Sequence, residues 1–348
     1  MAKEKILHIL FPEKFFTEFI ALINKNFNHN QHQFLYLKTK GNEPTTQNVK
    51  LLRYYRFGIL YYIEMFNYAQ QANKIIIHSL SKTKVLYFLF FFPQFAKKSY
   101  WFLWGGDLYY RLEKYSKPIH NPVAKFVFKS VVRKFAGIVT HIKGDCELAQ
   151  KKLGFNGKYF DCFLYPSNIF VPQTQFHSPD KSIWIMVGNS SHPSNNHAEV
   201  FERLFYLRDT DIKIICPLSY GNKRNREKVL RLGYSIFGEK FLPIIKFMPR
   251  NEYNKLLSNV RVAIFNHWRQ QAFGNIITLI GLGKTVYIRR EITTWETLTS
   301  MGIKVLDFST MQTLNYLSDT EKEANISIVK NYFTEQNLVK QLKLVFDT

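Results

Sequence analysis

Along this 348-residue chain, short apolar runs alternate with longer stretches in which apolar residues recur every third or fourth position. The short runs predict buried strands, and the three-to-four spacing predicts amphipathic helices. In the first half, strands are expected over 5–10, 33–37, 74–78, 100–104, 137–140 and 157–163. Helices are expected over 15–24, 61–71, 145–153 and, strongly basic, 122–135. The apolar segment 84–92 reads as helix or strand, because periodicity alone does not separate the two. A polar loop fills 41–48. Residues 165–181 hold Pro166, Pro172 and Pro179 with little periodicity, and read as a linker.

A second set follows. Its expected strands are 183–187, 212–216, 244–247, 261–265, 284–288 and 303–306. Its expected helices are 197–207, 222–233, 251–258, 273–282 and 293–301. Two helices split near Thr334 close the chain. Strands alternating with helices make a parallel sheet covered on both faces. The fold class is therefore α/β, with two doubly wound, Rossmann-like domains facing one another across a cleft. The divisions are 1–165, a linker at 166–181, a second domain at 182–330, and a last helix within 331–348 that can return to the first domain. Open α/β sheets bind ligands beyond the carboxyl ends of their strands, so the polar residues there are the candidates.

Charge changes this picture. The chain carries a net charge of +22. Residues 1–165 hold 25 Lys and Arg against 10 Asp and Glu. A basic, aromatic-rich first half suits an anionic membrane or phosphorylated ligands. Its basic residues are scattered and carry no nucleic-acid-binding signature, so no nucleic-acid partner is expected. Cys146, Cys162 and Cys216 are far apart in sequence, which suits a reducing compartment and neither a disulfide framework nor a zinc site. The start of the chain has no signal-peptide pattern. The longest apolar run, 85–92, has eight residues, far short of the roughly 20 that span a bilayer. A soluble or peripheral protein is expected.

Six strand ends carry chemistry. After 183–187, Gly188 breaks the run and Asn189, Ser190 and Ser191 follow, with Ser194 or Asn195 placed to cap a helix near His197. A strand, a Gly-polar turn and a helix start aim backbone N–H groups at an anion, here read as the diphosphate of a nucleotide-linked ligand. Asn195 and His197 either face that ligand or merely begin the helix. After 100–104, the glycine pair Gly105–Gly106 holds Asp107 where it either caps a helix or orients and deprotonates a hydroxyl. His8 and His78 each close an apolar run, and are either structural or bonded to an acceptor sugar or phosphate. After 261–265, Arg269 offers a permanently charged fork for a diphosphate. Gln270 and Gln271 suit sugar hydroxyls, and Gly274 and Asn275 open the next helix. Glu291, after 284–288, either binds a ribose or sugar hydroxyl or forms a surface ion pair. No paired-aspartate motif stands at a strand end, so neither a metal nor another cofactor is expected.

Several of these pieces occur together and in order: 104–109 (WGGDLY), 187–190 (VGNS) with 194–197 (SNNH), and 269–271 (RQQ) with Gly274. Here the chain resembles the 4-acetamido-4,6-dideoxy-D-galactosyltransferases (Fuc4NAc transferases) of enterobacterial common antigen synthesis, glycosyltransferase family 56. His8, His78, Cys216–Pro217 before Tyr220, and Arg290–Glu291 with Trp295 support the likeness. The resemblance implies the GT-B fold and a dTDP-linked amino-deoxysugar donor. It also implies an undecaprenyl-diphosphate-linked oligosaccharide acceptor, met at the cytoplasmic face of the bacterial inner membrane by a peripheral protein. In that frame Gly188, Asn189, Ser190 and Arg269 stabilise the departing diphosphate. Gln270, Gln271, Gly274 and Asn275 line the sugar, and Asp107, His78 and His8 stand on the acceptor side. Departures fall near the expected sugar pocket, among them the segment after Ser190. Ala272 stands where the family tends to have Gly, Asn275 where Thr is common, and Gly106 where Ala is frequent. They leave a different nucleotide sugar, UDP- or GDP-linked, as the alternative donor for a capsule or lipopolysaccharide glycan. A non-catalytic, anion-binding peripheral protein is the alternative outside the enzymes.

Overall fold

A computed structural model describes residues 4–13, 15–37, 46–52, 58–116, 122–172 and 182–348. The chain divides into two compact units, residues 1–167 with 335–348, and residues 168–334. Each is a doubly wound α/β unit.

The first unit is built on seven strands: β1 Ile6–Leu10, β2 His32–Tyr36, β3 Val49–Leu51, β4 Lys74–His78, β5 Ser99–Phe102, β6 Gly137–Val139 and β7 Lys158–Phe160. All pair in parallel, in the order 3-2-1-4-5-6-7, so the winding reverses between β1 and β4. Side chains alternate across the sheet. Leu7, Ile9, Ile75, Ile77 and Trp101 join one core with Met65, Leu86, Phe88 and Phe128. His8, Phe34 and His78 point the other way, toward Phe19 and Phe346. Phe19 belongs to the helix Phe16–Asn26, which buries Phe16, Phe19, Ile20 and Ile23 at helical spacing. Phe346 ends the final helix, Glu335–Phe346, whose buried Leu338, Leu342, Val345 and Phe346 form one stripe. Lys74 secures it by donating to the Val345 and Phe346 carbonyls at 2.7 and 2.8 Å. These are terminal carbonyls with no partner inside the helix.

The second unit has six parallel strands: β8 Ile183–Val187, β9 Ile212–Pro217, β10 Phe241–Ile244, β11 Val262–Phe265, β12 Thr285–Ile288 and β13 Leu306–Asp307. Their order is 10-9-8-11-12-13, with the reversal between β8 and β11.

The segment 84–92 resolves as a helix, Thr83–Phe91. Several expectations need correction. The strand expected at 244–247 lies earlier, at Phe241–Ile244. It contains Pro243, which is tolerated because β10 is an edge strand. The helix begun at His197 stops at Arg203, and a 3₁₀ turn, Phe205–Leu207, follows. The strand Val49–Leu51 was not foreseen, and a helix, Gly106–Ser116, does begin with Asp107 in its first turn, as one reading of that residue required. Of the expected linker, 166–172 is ordered. Pro166–Asn168 forms a 3₁₀ turn, and buried Phe170 donates its N–H to the Phe333 carbonyl at 2.9 Å. The rest of it, 173–181, and positions 41–45 of the polar loop lie outside the described residues.

Candidate active site

In the second unit the loops after β8, β9 and β11 meet at the reversal point. Gly188 turns the chain with φ +67°. A Cβ there would lie 2.7 Å from Asn195 Oδ1 and 2.9 Å from His197 Nε2, so only glycine fits. Its N–H donates to the Ile264 carbonyl at 2.9 Å. The Asn189 N–H donates to Asn195 Oδ1 at 2.9 Å, and the Ser191 N–H donates to the Tyr220 carbonyl at 2.8 Å. The expected anion seat is thus corrected. Most amides of this turn are consumed within the fold. Neither Ser194 nor Asn195 caps the helix. Residues Pro193–Asn195 form a 3₁₀ turn, and left-handed Asn196 starts the helix with no side-chain cap.

Asn195 is saturated. Its Oδ1 accepts from Asn189 N–H and from His267 Nε2 at 3.0 Å, and its Nδ2 donates to Ser190 Oγ and the His192 carbonyl. It shapes the turn and has no valence left for a ligand. Gln271 is also committed. Its Nε2 donates to Asn189 Oδ1 at 2.9 Å, and its Oε1 accepts from Ser194 Oγ at 2.6 Å. Asn189 Nδ2 donates onward to the Tyr220 hydroxyl at 2.7 Å.

What remains open stands around these laced loops. Both ring nitrogens of His197, Nδ1 of His267 and Oε1 of Gln270 are buried with no partner. Because His267 donates through Nε2, its Nδ1 is a bare acceptor. Burial lowers the His197 pKa to about 4. Burial first, then the charges of Arg269 and His197, hold His267 well below the usual range. Arg269 bonds the Gln270 carbonyl at 3.0 Å and remains partly exposed. Ala272, left-handed at φ +61°, leads into the helix Phe273–Gly281, which has no side-chain cap. Its first backbone bond inside the helix is Ile276 N–H to the Ala272 carbonyl. The amides of Gly274 and Asn275 are therefore the donors this loop presents. Asn275 Nδ2 meets the Tyr253 hydroxyl at 3.3 Å. Glu291 is exposed in the turn after β12, while the ion pair at that strand end joins Arg289 to Glu199 at 2.6 Å.

In the first unit Asp107 is only 5 % exposed. Its Oδ2 accepts from the Leu80 N–H at 2.8 Å and Trp101 Nε1 at 2.7 Å, and its Oδ1 from the Trp104 N–H at 3.1 Å. Burial pushes its pKa up, and the bonds from Leu80, Trp101, Ser79 and Trp104 oppose that. Asp107, expected either to cap a helix or to orient a hydroxyl, is a buried clamp on the loops after β4 and β5. His8 is likewise corrected. It is the middle residue of β1, followed by Ile9 and Leu10, and both His8 and His78 are fully buried. They bond each other at 3.0 Å. His32 and Tyr165 bond their outer nitrogens at 2.9 and 2.7 Å, and Trp104 Nε1 donates to the Tyr165 hydroxyl at 2.9 Å. His32 and Tyr165 were not foreseen. They lie 24 and 87 residues from their partners, and no local pattern marks such pairs.

The sequence profile of the family described as 4-alpha-L-fucosyltransferase, glycosyl transferase group 56, matches residues 13–336. Among solved structures, HepE of Anabaena in complex with UDP-glucose is similar at a TM-score of 0.70 and 12% identity, with 99% of each chain covered. Sucrose-phosphate synthase of Thermosynechococcus elongatus is similar at 0.69 and 10% identity, covering 99% of this chain and 98% of that one. WaaG, a glycosyltransferase involved in lipopolysaccharide biosynthesis, is similar at 0.61 and 10% identity, covering 99% and 95%. These likenesses show the GT-B fold.

Proposed function

The chain belongs to glycosyl transferase group 56, and from that premise we propose that it moves a Fuc4NAc-like amino-deoxysugar from a dTDP-sugar to an undecaprenyl-diphosphate-linked oligosaccharide. Its membership makes it a glycosyltransferase and sets aside the non-catalytic reading. One observation carries the donor side: the uncapped start of the helix Phe273–Gly281 directly follows Arg269, at the reversal point of the second sheet. A partial positive charge at a helix start and a guanidinium together suit a diphosphate, in the bound donor and more so as the leaving group gains charge. Gly274 and Asn275 serve through their backbone amides. The Gly188–Ser190 turn, held by Asn195 and Gln271, supplies the wall behind the ligand. His267 Nδ1, Gln270 Oε1 and the unprotonated ring nitrogen of His197 are the bare acceptors offered to the donor's hydroxyl and amide hydrogens. That HepE is seen with UDP-glucose supports a nucleotide-sugar donor for this fold.

The acceptor side belongs to the first unit, with an anionic membrane as its support. Phe91 and Phe126 are 69 % and 62 % exposed, on helices that also carry Lys84, Lys125 and Lys129. Residues 83–98 and 122–136 contain no acidic side chain. Exposed aromatics among lysines suit an interfacial surface. Among the described residues no helix is long and apolar enough to cross a membrane. The position proposed is peripheral, at the cytoplasmic face of the inner membrane. A second donor reading, a UDP- or GDP-sugar, rests on Ala272 and Asn275 at the sugar end. Titration with dTDP, UDP and GDP, followed by turnover with the matching sugars, tests the donor. The dTDP reading requires tightest binding of dTDP and fails if UDP or GDP binds more tightly.

A further inference from the structure

Five side chains of the first unit form one hydrogen-bonded line: Trp104, Tyr165, His78, His8 and His32. Proton counting gives it a single direction. The indole of Trp104 has a donor and no acceptor. The Tyr165 oxygen therefore accepts from it, and the one Tyr165 hydrogen goes to His78 Nδ1. His78 then carries its proton on Nε2 and donates to His8 Nδ1. His8 in turn donates from Nε2 to His32 Nδ1. Reversing any link strands the tyrosine proton, because Tyr165 is buried and has no third partner among the described residues. All three histidines are neutral, each with its proton on Nε2.

The line ends in different surroundings. His32 lines a polar hollow of about 280 Å³ with Gln31, Gln33, Asn48 and Gln71. Trp104 is half-buried in the turn just past β5, its ring edged by Phe11 and Phe15 at centroid distances of 5.3 and 5.1 Å. Lys82 lies over Phe11 at 4.8 Å. The backbone N–H of Trp104 is held by Asp107 and its side chain by Tyr165. The indole is thus fixed at both ends beside the reversal point of the first sheet. Aromatic faces pair well with the C–H faces of sugar rings, being apolar bodies with a polar tip.

We propose that Trp104 is a stacking platform for a sugar ring of the acceptor, and that the Tyr165–His78–His8–His32 line is the positioning device that sets its ring angle. This rests on the reading that the first unit receives the acceptor. Tyr165 and the three histidines touch no substrate. They act through the indole.

The test is a binding titration that needs neither donor nor turnover, so its failure is separate from failure of the donor reading. The full chain is titrated below micelle concentration with octyl β-glucoside and octyl β-N-acetylglucosaminide, with octanol as the sugar-free control. Fluorescence is read against Trp104→Phe, which removes the signal of this one tryptophan among five. A saturable change is expected with the glycosides and not with octanol. It is expected to vanish in Trp104→Phe and to weaken about tenfold in apparent affinity in Tyr165→Phe. The phenylalanine keeps the packing against Phe15 and Phe19 and loses the hydroxyl. Nitrogen-15 histidine spectra supply a second reading: Nε2–H tautomers at residues 8, 32 and 78, with the His78 pattern changed by Tyr165→Phe. No saturable change in the natural protein, an equal response to octanol, or an unaltered titration in Trp104→Phe overturns the platform. An unaltered titration or unaltered histidine spectra in Tyr165→Phe overturn the positioning line.

Discussion

Gln271 Nε2 donates to Asn189 Oδ1 over 2.9 Å, joining two strand-end loops 82 residues apart in sequence. The bond ties two residues expected to grip a ligand into the frame of the loops themselves. In the proposed donor site the charge then falls to Arg269 and the start of the helix Phe273–Gly281.

Arg269→Ala is accordingly expected to weaken nucleoside diphosphate binding about 10- to 100-fold, the range for a lost charge-assisted hydrogen bond. The melting temperature should move little, since the side chain is partly exposed. Arg269→Lys should restore only part of the affinity, because a point charge lacks the planar fork. Calorimetric titration with dTDP and UDP reads this directly. Unchanged affinity in the alanine variant would remove Arg269 from the donor site.

Two positive-φ positions should respond in opposite ways. Gly188→Ala puts a methyl against Asn195 and His197 at φ +67°, and should cost roughly 2 kcal/mol or more. Ala272→Gly relieves a left-handed alanine and should stabilise by up to about 1 kcal/mol, after the extra freedom of glycine in the unfolded chain is subtracted. Urea unfolding of both variants measures the contrast.

Acid should destabilise the fold through its buried histidines. His32 and His197 are held at about 4, and His8, His78 and His267 are well below their ordinary value of 6.5. Burial is the first cause in each. The charge of Lys74 adds to it at His32, and the neighbouring histidines add to it at His8. A lowered folded-state pKa means that the unfolded chain binds more protons between about 6.5 and 4. Stability is therefore full above 6.5 and falls as pH drops through that window, by on the order of 1 kcal/mol per pH unit for each histidine. Unfolding midpoints at pH 7.5, 6 and 5 should fall in that order. A flat profile would mean these rings are not buried neutral.

Asp107→Asn should act mainly on stability. The amide places an NH₂ where the carboxylate accepts from Leu80, Trp101 and Trp104, leaving one or more buried donors unpaired, at a cost of about 2–4 kcal/mol. Activity per folded molecule should stay within about tenfold. A loss of several orders of magnitude at unchanged stability would instead return Asp107 to direct chemistry.

The amino-acid sequence by itself determined the class of this protein. Alternating apolar runs and amphipathic stretches dictated two parallel α/β sheets, and the order of WGGDLY, VGNS and RQQ pointed to the family whose profile the chain matches. Gly188 and the helix start after Ala272 were legible for the same reason, since a turn and a helix end are settled within a few residues. Local pattern carries no information on which hydrogen bond a polar side chain makes across the fold. Only the tertiary structure decided that Asn195 and Gln271 serve the loops, that Asp107 is enclosed, and that His8 joins His32 and His78 instead of facing a ligand. The physical reason is competition. A polar group at a strand end takes whichever partner the packed neighbours bring within 3 Å, and those neighbours arrive from strands dozens of residues away.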